Sequence, residues 1–315
     1  LAIAAYNAQT SCLGPVVFNL TDSTYSLGTT ALVINSNALA SSTNTLTIKP
    51  NAAGTTITGA VASGALIKLN GAKYVIIDGS TNGGTDKSLT ITNTSTTSPT
   101  AVSFASLGTS LGTTYSTVKN CKISTGIATT ASYGVAIGGT TPGTAGSDND
   151  NITVQNNTIT VATTGVYAVG NAAASALGMD NLTVSGNTIT TNTTIASFGI
   201  QAGNTVNSSV TNNTVSVTSS VSGQPVGISC ETGFLSSTVT QNNITAIPFT
   251  INGLLPKTGY DFYVQANCLP GVKSTWIGPF SFVTAISNGE CNLNLNIPDK
   301  SCNSTNDYIV NVTNV

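Results

Sequence analysis

The sequence predicts an all-β chain built mainly as a parallel β-solenoid, and three observations predict it. The first is composition. Of 315 residues only 6% are charged and 40% are hydrophobic. Thr, Ser, Asn and Gly dominate, Val and Ile are the main large apolar types, and strong helix formers are scarce. The second is a repeat: "ITVQNNTITV" (152–161), "LTVSGNTITT" (182–191), "SVTNNTVSVT" (209–218) and "TVTQNNITAI" (238–247) align, with a looser copy "TVKNCKIST" (117–125). One apolar column then holds Val118, Val154, Val184, Val210 and Val239, and a second holds Ile123, Ile159, Ile189, Val215 and Ile244. The third is a glycine-led strand between copies, in which Gly134, Gly165, Gly199 and Gly227 align ahead of Val135, Val166, Ile200 and Ile228. Apolar positions two apart point to one face of a strand. Short strands recurring every 26 to 36 residues stack as coils about 4.8 Å apart.

Taken in order, "LAIAAYNAQT" is the one predicted helix. Leu1, Ala4, Ala5 and Ala8 share a face suited to capping the open end of the core, where an exposed coil would recruit other strands. "TLTIKP" (45–50), "ALIKLNGAKYVIIDG" (65–79) and "SLTITNTS" (88–95) read as coils with less regular turns. In the aligned copies, the corner between the two apolar columns carries Cys121, Asn157, Asn187, Asn213 and Asn242. Amides stacked in this way can bond each other and the turn backbones from coil to coil, so these four asparagines are predicted to form a structural ladder. Cys230 falls in a small-residue column with Ile137, Ala168 and Ala202 and reads as core.

Several long motifs resemble a known group. "GPVVFNLTDSTYS" (14–26), "LTIKPNAAGTTITG", "LIKLNGAKYVIIDGSTNGGTDKSLTITN" and "GSDNDNITVQNNTI" look like the β-helix repeat regions of large secreted or surface adhesin-like proteins of Bacteroidetes. The resemblance covers residues 1–247. It implies a right-handed parallel β-helix, export to the cell surface or medium, and attachment to other modules. "FTINGLLPKTGYDFYVQANC" and "WIGPFSFVTA" look like the last three strands of a fibronectin type III domain, with Tyr260 at the corner-tyrosine position. Residues 248–286 are therefore expected to be a partial β-sandwich module. Either it packs on the solenoid end or residues 247 and 248 are not neighbours in the natural chain. Residues 287–315 read as the start of a further β-domain.

The remaining features narrow function. A net charge of −2 with no arginine or histidine offers nothing to nucleic acid or an anionic membrane. Polar residues interrupt every apolar run well short of the roughly 20 residues that cross a bilayer. With no initiator Met or signal pattern, the chain reads as a mature or excised piece. Cys291 and Cys302 are spaced for a local disulfide in an oxidising compartment. A polysaccharide lyase or hydrolase is the alternative function. It needs a base with charge neutralisation or paired carboxylates, and the solenoid's acids (Asp22, Asp78, Asp86, Asp148, Asp150, Asp180, Glu231) do not repeat at coil spacing. Lys68, Lys119 and Lys122 lack neighbours in sequence that would depress their pKa. No catalytic residue or cofactor is assigned. "GSDNDN" places Asp148, Asp150 and Asn151 together as a candidate calcium site, or as Asx turns bonding their own backbone. Outward Thr153, Thr183, Ser209 and Thr238 raise an ice-binding reading, against which unequal coil lengths argue. The expected role is a rigid structural or adhesive segment, contacting other modules, a surface filament or glycans through its lateral faces and the loops near 79–88 and 139–150. No aromatic platform stands out in the sequence of those faces.

Overall fold

The computed structural model describes the chain apart from residues 1, 12–13, 127–130, 162, 173–176, 194–196, 220–224, 247, 252–256, 270–271, 274, 276, 284–290, 295–306 and 315. Through Ala246 the chain is a parallel β-solenoid with three long sheets. Sheet 1 has eight strands, from Val16–Leu20 to Thr238–Thr240, and sheet 2 has eight, from Thr24–Ser26 to Asn243–Ala246. Sheet 3 has seven, from Leu32–Asn35 to Pro225–Cys230. A fourth, minor sheet joins Met179–Asp180, Thr205–Val206 and Phe234–Leu235.

The aligned columns are the registers of these sheets. Val118, Val154, Val184, Val210 and Val239 pair in succession in sheet 1. Ile123, Ile159, Ile189, Val215 and Ile244 do so in sheet 2. Val135, Val166, Ile200 and Ile228 do so in sheet 3. Nearly all are buried and belong to one core cluster running from Tyr6 to Val239. Each buried Val or Ile contributes about 1.5–3 kcal/mol of hydrophobic stabilisation, before the entropy of ordering it. Coil length varies mainly in the connections, so the aligned columns stay in register, with one shift after Val215 where the last strand of sheet 2 pairs. The outer face of sheet 2 accordingly carries Thr90, Lys122, Thr158, Thr188 and Thr214 as one continuous row.

Corners are made by residues in the left-handed region. Asn120, Asn156, Gly186, Asn212 and Gln241 turn the chain from sheet 1 into sheet 2, one per coil. Tyr74, Tyr115, Asn151, Asn181, Asn207 and Ser236 turn it into sheet 1. Glycine and asparagine tolerate this conformation, which explains the N-N and G-N pairs of the repeat.

The N-terminal helix spans Ala2–Asn7, but its packed face differs from the predicted one. Ala4, Ala5 and Ala8 are exposed, and Leu1 lies outside the described residues. Ile3 and Tyr6 face the core instead, because they are the larger apolar groups on one helical side. Next to them, Asn7 Nδ2 donates to Val33 O at 2.9 Å, and Asn7 Oδ1 accepts from Asn35 N–H at 3.0 Å. One amide thus occupies the edge of sheet 3 as a paired strand would, which blunts that edge.

The remaining strands are antiparallel. Pro248–Ile251 pairs with Cys291–Asn294, and Gly259–Leu269 lies between Ile277–Val283 and Asp307–Asn314. Among the described residues, Cys291–Asn294 and Asp307–Asn314 thus pair with strands of 248–286. Tyr260 is buried and its ring stacks 5.8 Å from Phe282. Among the described residues no helix is long and apolar enough to cross a membrane.

Candidate functional site

The polar groups described next gather at two of the solenoid's corners. At the first, Asn157, Asn187, Asn213 and Asn242 are buried and linked. Nδ2 of Asn157 donates to Asn187 Oδ1, that of Asn187 to Asn213 Oδ1, and that of Asn213 to Asn242 Oδ1, at 2.9–3.0 Å. Each Oδ1 also accepts the backbone N–H of the preceding corner residue, beginning with Cys121. Each Nδ2 also donates to a sheet 1 carbonyl of the previous coil, from Val118 to Val210. Asn157, Asn187 and Asn213 make bonds in both axial directions and Asn242 closes the row onto the coil before it, so the buried amides are partnered along the column. Cys121 ends the row. Burial pushes its thiol far above the usual range, with Asp78 adding to the shift, so it is inert there.

At the second corner lies "GSDNDN". Asp148 Oδ2 accepts Ser110 N–H at 2.5 Å, and buried Asn149 accepts Thr113 N–H at 2.9 Å, both from the preceding coil. Asp150 Oδ1 accepts Asp180 N–H at 2.8 Å, and Asn151 Oδ1 accepts from Asn181 Nδ2 at 3.2 Å, both from the following coil. Four consecutive side chains are thus divided between two neighbours, and the third carboxylate beside Asp148 and Asp150 is Asp180, thirty residues on. Burial, and then neighbouring carboxylates, raise Asp150 above the ordinary carboxylate range; burial and Asp148 do the same to Asp180. Among the described residues no three acids, histidines or cysteines are disposed around a metal position.

In an earlier coil the first of these corners, between sheets 1 and 2, is overlaid by the loop of residues 79–88. Asp86 organises it, accepting from Ser80 Oγ at 2.5 Å, Ser88 Oγ at 2.7 Å and Thr81 N–H at 3.1 Å, which together hold its carboxyl well below the usual range. Asp78, beneath the loop, accepts Asn120 Nδ2 at 2.7 Å and pairs with Lys119 Nζ at 3.2 Å. Lys87 reaches from this loop across sheet 2 to donate to Thr158 Oγ1 at 3.1 Å. Burial, and then the charge of Lys122, lower its pKa, which is the environment a lysine base requires. Lys87 was absent from the lysines singled out in the sequence because its neighbour is supplied by another coil. Of the predicted disulfide, Cys291 lies in the strand Cys291–Asn294, and Cys302 lies outside the described residues.

The structure also reveals an aromatic feature that the sequence concealed. Tyr74 and Tyr115 occupy successive left-handed corners, with φ of 55° and 51°, and their rings stack at 4.9 Å and 4°. For a bulky L-residue this conformation costs roughly 1–2 kcal/mol, offset in part by stacking at about 0.5–1.5 kcal/mol. Tyr115 remains 51% exposed. Leu107 and Leu111 are exposed on the same connection between sheets 3 and 1, and Leu177 and Leu235 are exposed on the equivalent connections further along. Among the described solenoid residues, Val17 is the one other large apolar side chain so exposed. One flank therefore carries the exposed apolar surface.

No family model matches the chain, and no curated protein matches it. Among solved structures, it is similar to one described as Geobacillus virus E2 ORF18, at 11% identity and a TM-score of 0.21, covering 95% of this chain and 68% of that one. A likeness at that level transfers neither activity nor ligand.

Proposed function

We propose that the chain is a rigid spacer and adhesive segment of an exported modular protein, holding neighbouring modules away from a cell and contacting glycans or a surface along its side. The observation that carries this reading is the axial amide ladder. Five consecutive coils are tied by buried side-chain bonds in addition to strand pairing, which resists bending and shear along the axis. The resemblance of the N-terminal motifs to β-helical surface proteins of Bacteroidetes supports the exported setting. So does the partial fibronectin type III-like pattern that follows. The reading is tested by detecting the chain on intact producing cells and measuring their attachment after the solenoid is deleted in frame. Surface exposure with attachment reduced is the expected result. Cytoplasmic location, or attachment unchanged by the deletion, would overturn it.

A further inference from the structure

We infer that the flank formed by the connections between sheets 3 and 1 binds a neutral polysaccharide chain lying along the solenoid axis, with Tyr115 as its stacking anchor. This deepens the adhesive reading above and rests on it only for the biological setting. The starting point is an outlier: in two successive coils a tyrosine holds a left-handed corner that later coils give to Asn151, Asn181, Asn207 and Ser236. Nothing in the core requires the rings there, since Tyr115 is half exposed. Strain retained at an exposed position points to use of the side chain.

Geometry and chemistry define the ligand. Tyr74 covers one face of the Tyr115 ring. In the next coil the column drops to the shorter Asn151, leaving the opposite face of Tyr115 as a wall at the head of a polar floor. That floor offers the amides of Asn151 and Asn181, which bond each other at 3.2 Å, with Asp180 beside them, its Oδ1 buried and without a hydrogen-bond partner within the protein. An apolar ring face beside amides and a carboxylate suits a pyranose, which presents C–H groups on its faces and hydroxyls around its edge. Leu177 and Leu235, each two coils further along than the last, extend the apolar contact in the axial direction. Coils repeat about every 4.8 Å, close to the advance of one hexose in an extended chain. Asp148, Asp150 and Asp180 make the floor acidic, so uronate, sulfate and nucleic acid are disfavoured and the chain assigned here is a neutral one.

The test is native affinity electrophoresis of the full chain in gels containing soluble xylan, glucomannan or mixed-linkage glucan, with alginate as the anionic control. The wild-type protein and the Tyr74→Asn/Tyr115→Asn variant are compared. Asparagine is what neighbouring coils use at this corner, so the variant should fold and melt at the same or a higher temperature. The expected result is retardation by a neutral polymer and not by alginate, weakened about tenfold or more in the variant. Retardation by alginate alone, equal retardation of the variant, or no retardation by any neutral polymer would overturn the assignment. So would concentration-dependent self-association through this flank, seen in the wild type and lost in the variant. Each failure would leave surface location and attachment to be judged by the deletion experiment.

Discussion

The coils before Cys121 and those from Asn157 onward turn the same two corners with opposite chemistry. At the corner between sheets 1 and 2, the early coils place Thr55, Leu89 and Cys121 in the column that later holds only asparagine. Their polar groups are instead managed locally, by the Asp78–Lys119 pair and the loop organised by Asp86. At the corner between sheets 2 and 3, the sizes are exchanged. Early coils place Leu66 and Ala101 between paired strand residues, with Leu66 against Gly59; later coils place Gly134, Gly165, Gly199 and Gly227 there, against Ile159, Ile189, Val215 and Ile244. One fold therefore tolerates two solutions. They should differ in how damage spreads: a shared ladder transmits it axially, whereas local pairs confine it.

The sharpest way to break this contrast is Asn187→Leu. Leucine fits the column, as Leu89 shows, so the loss is polar. Asn157 loses the acceptor for both its N–H and its Nδ2, and Val154 O loses a donor. With about 1–3 kcal/mol for each buried orphan, destabilisation of about 3–6 kcal/mol is expected in urea unfolding. Replacing all four ladder asparagines by leucine should cost less than four single costs combined, because partners disappear together. A single variant within about 1 kcal/mol of wild type would show that the ladder is decoration.

Gly165→Ala probes the second corner. Its Cβ would collide with Ile189 Cγ2 and sit 2.5 Å from Gly199 O. The backbone contact cannot rotate away, so a loss of about 1–3 kcal/mol is expected. Combining it with Ile189→Ala should recover part of that loss, measured as a coupling energy between the two sites. Strict additivity would remove size exchange as the explanation for the glycine column.

How much of this was legible follows from what repeats. Inward Val and Ile columns and the asparagine row show in the sequence because the same residue type returns at the same register. Leu66 and Ala101 conceal the glycine column upstream, since the position survives while its occupant changes. Tyr74 and Tyr115 were hidden for the same reason: their kinship with Asn151 and Asn181 lies in the sign of φ, which no residue type announces. "GSDNDN" looks like a ligand set when read along the chain. Across coils, its side chains are shared between Ser110 and Thr113 on one side and Asp180 and Asn181 on the other.

Asp150 stands at the seam between the two regions, and its charge provides the smallest and most specific test. Its carboxyl is raised above the ordinary value by burial and by Asp180 and Asp148, against the favourable N–H of Asp180. A group whose folded pKa lies above its unfolded one binds more protons in the native state between the two. Stability therefore falls as pH rises from the ordinary aspartate value, about 3.9, through the raised one, and stays lower above it. Asp150→Asn keeps an oxygen for Asp180 N–H and removes the charge. The variant should match wild type in acid and exceed it near neutrality, by under about 1 kcal/mol because solvent screens the site. Melting temperatures across that pH range decide it. Parallel curves for the two proteins would mean that the seam carries no electrostatic strain, and that the acidic floor beside Tyr115 is as relaxed as the amide ladder beyond it.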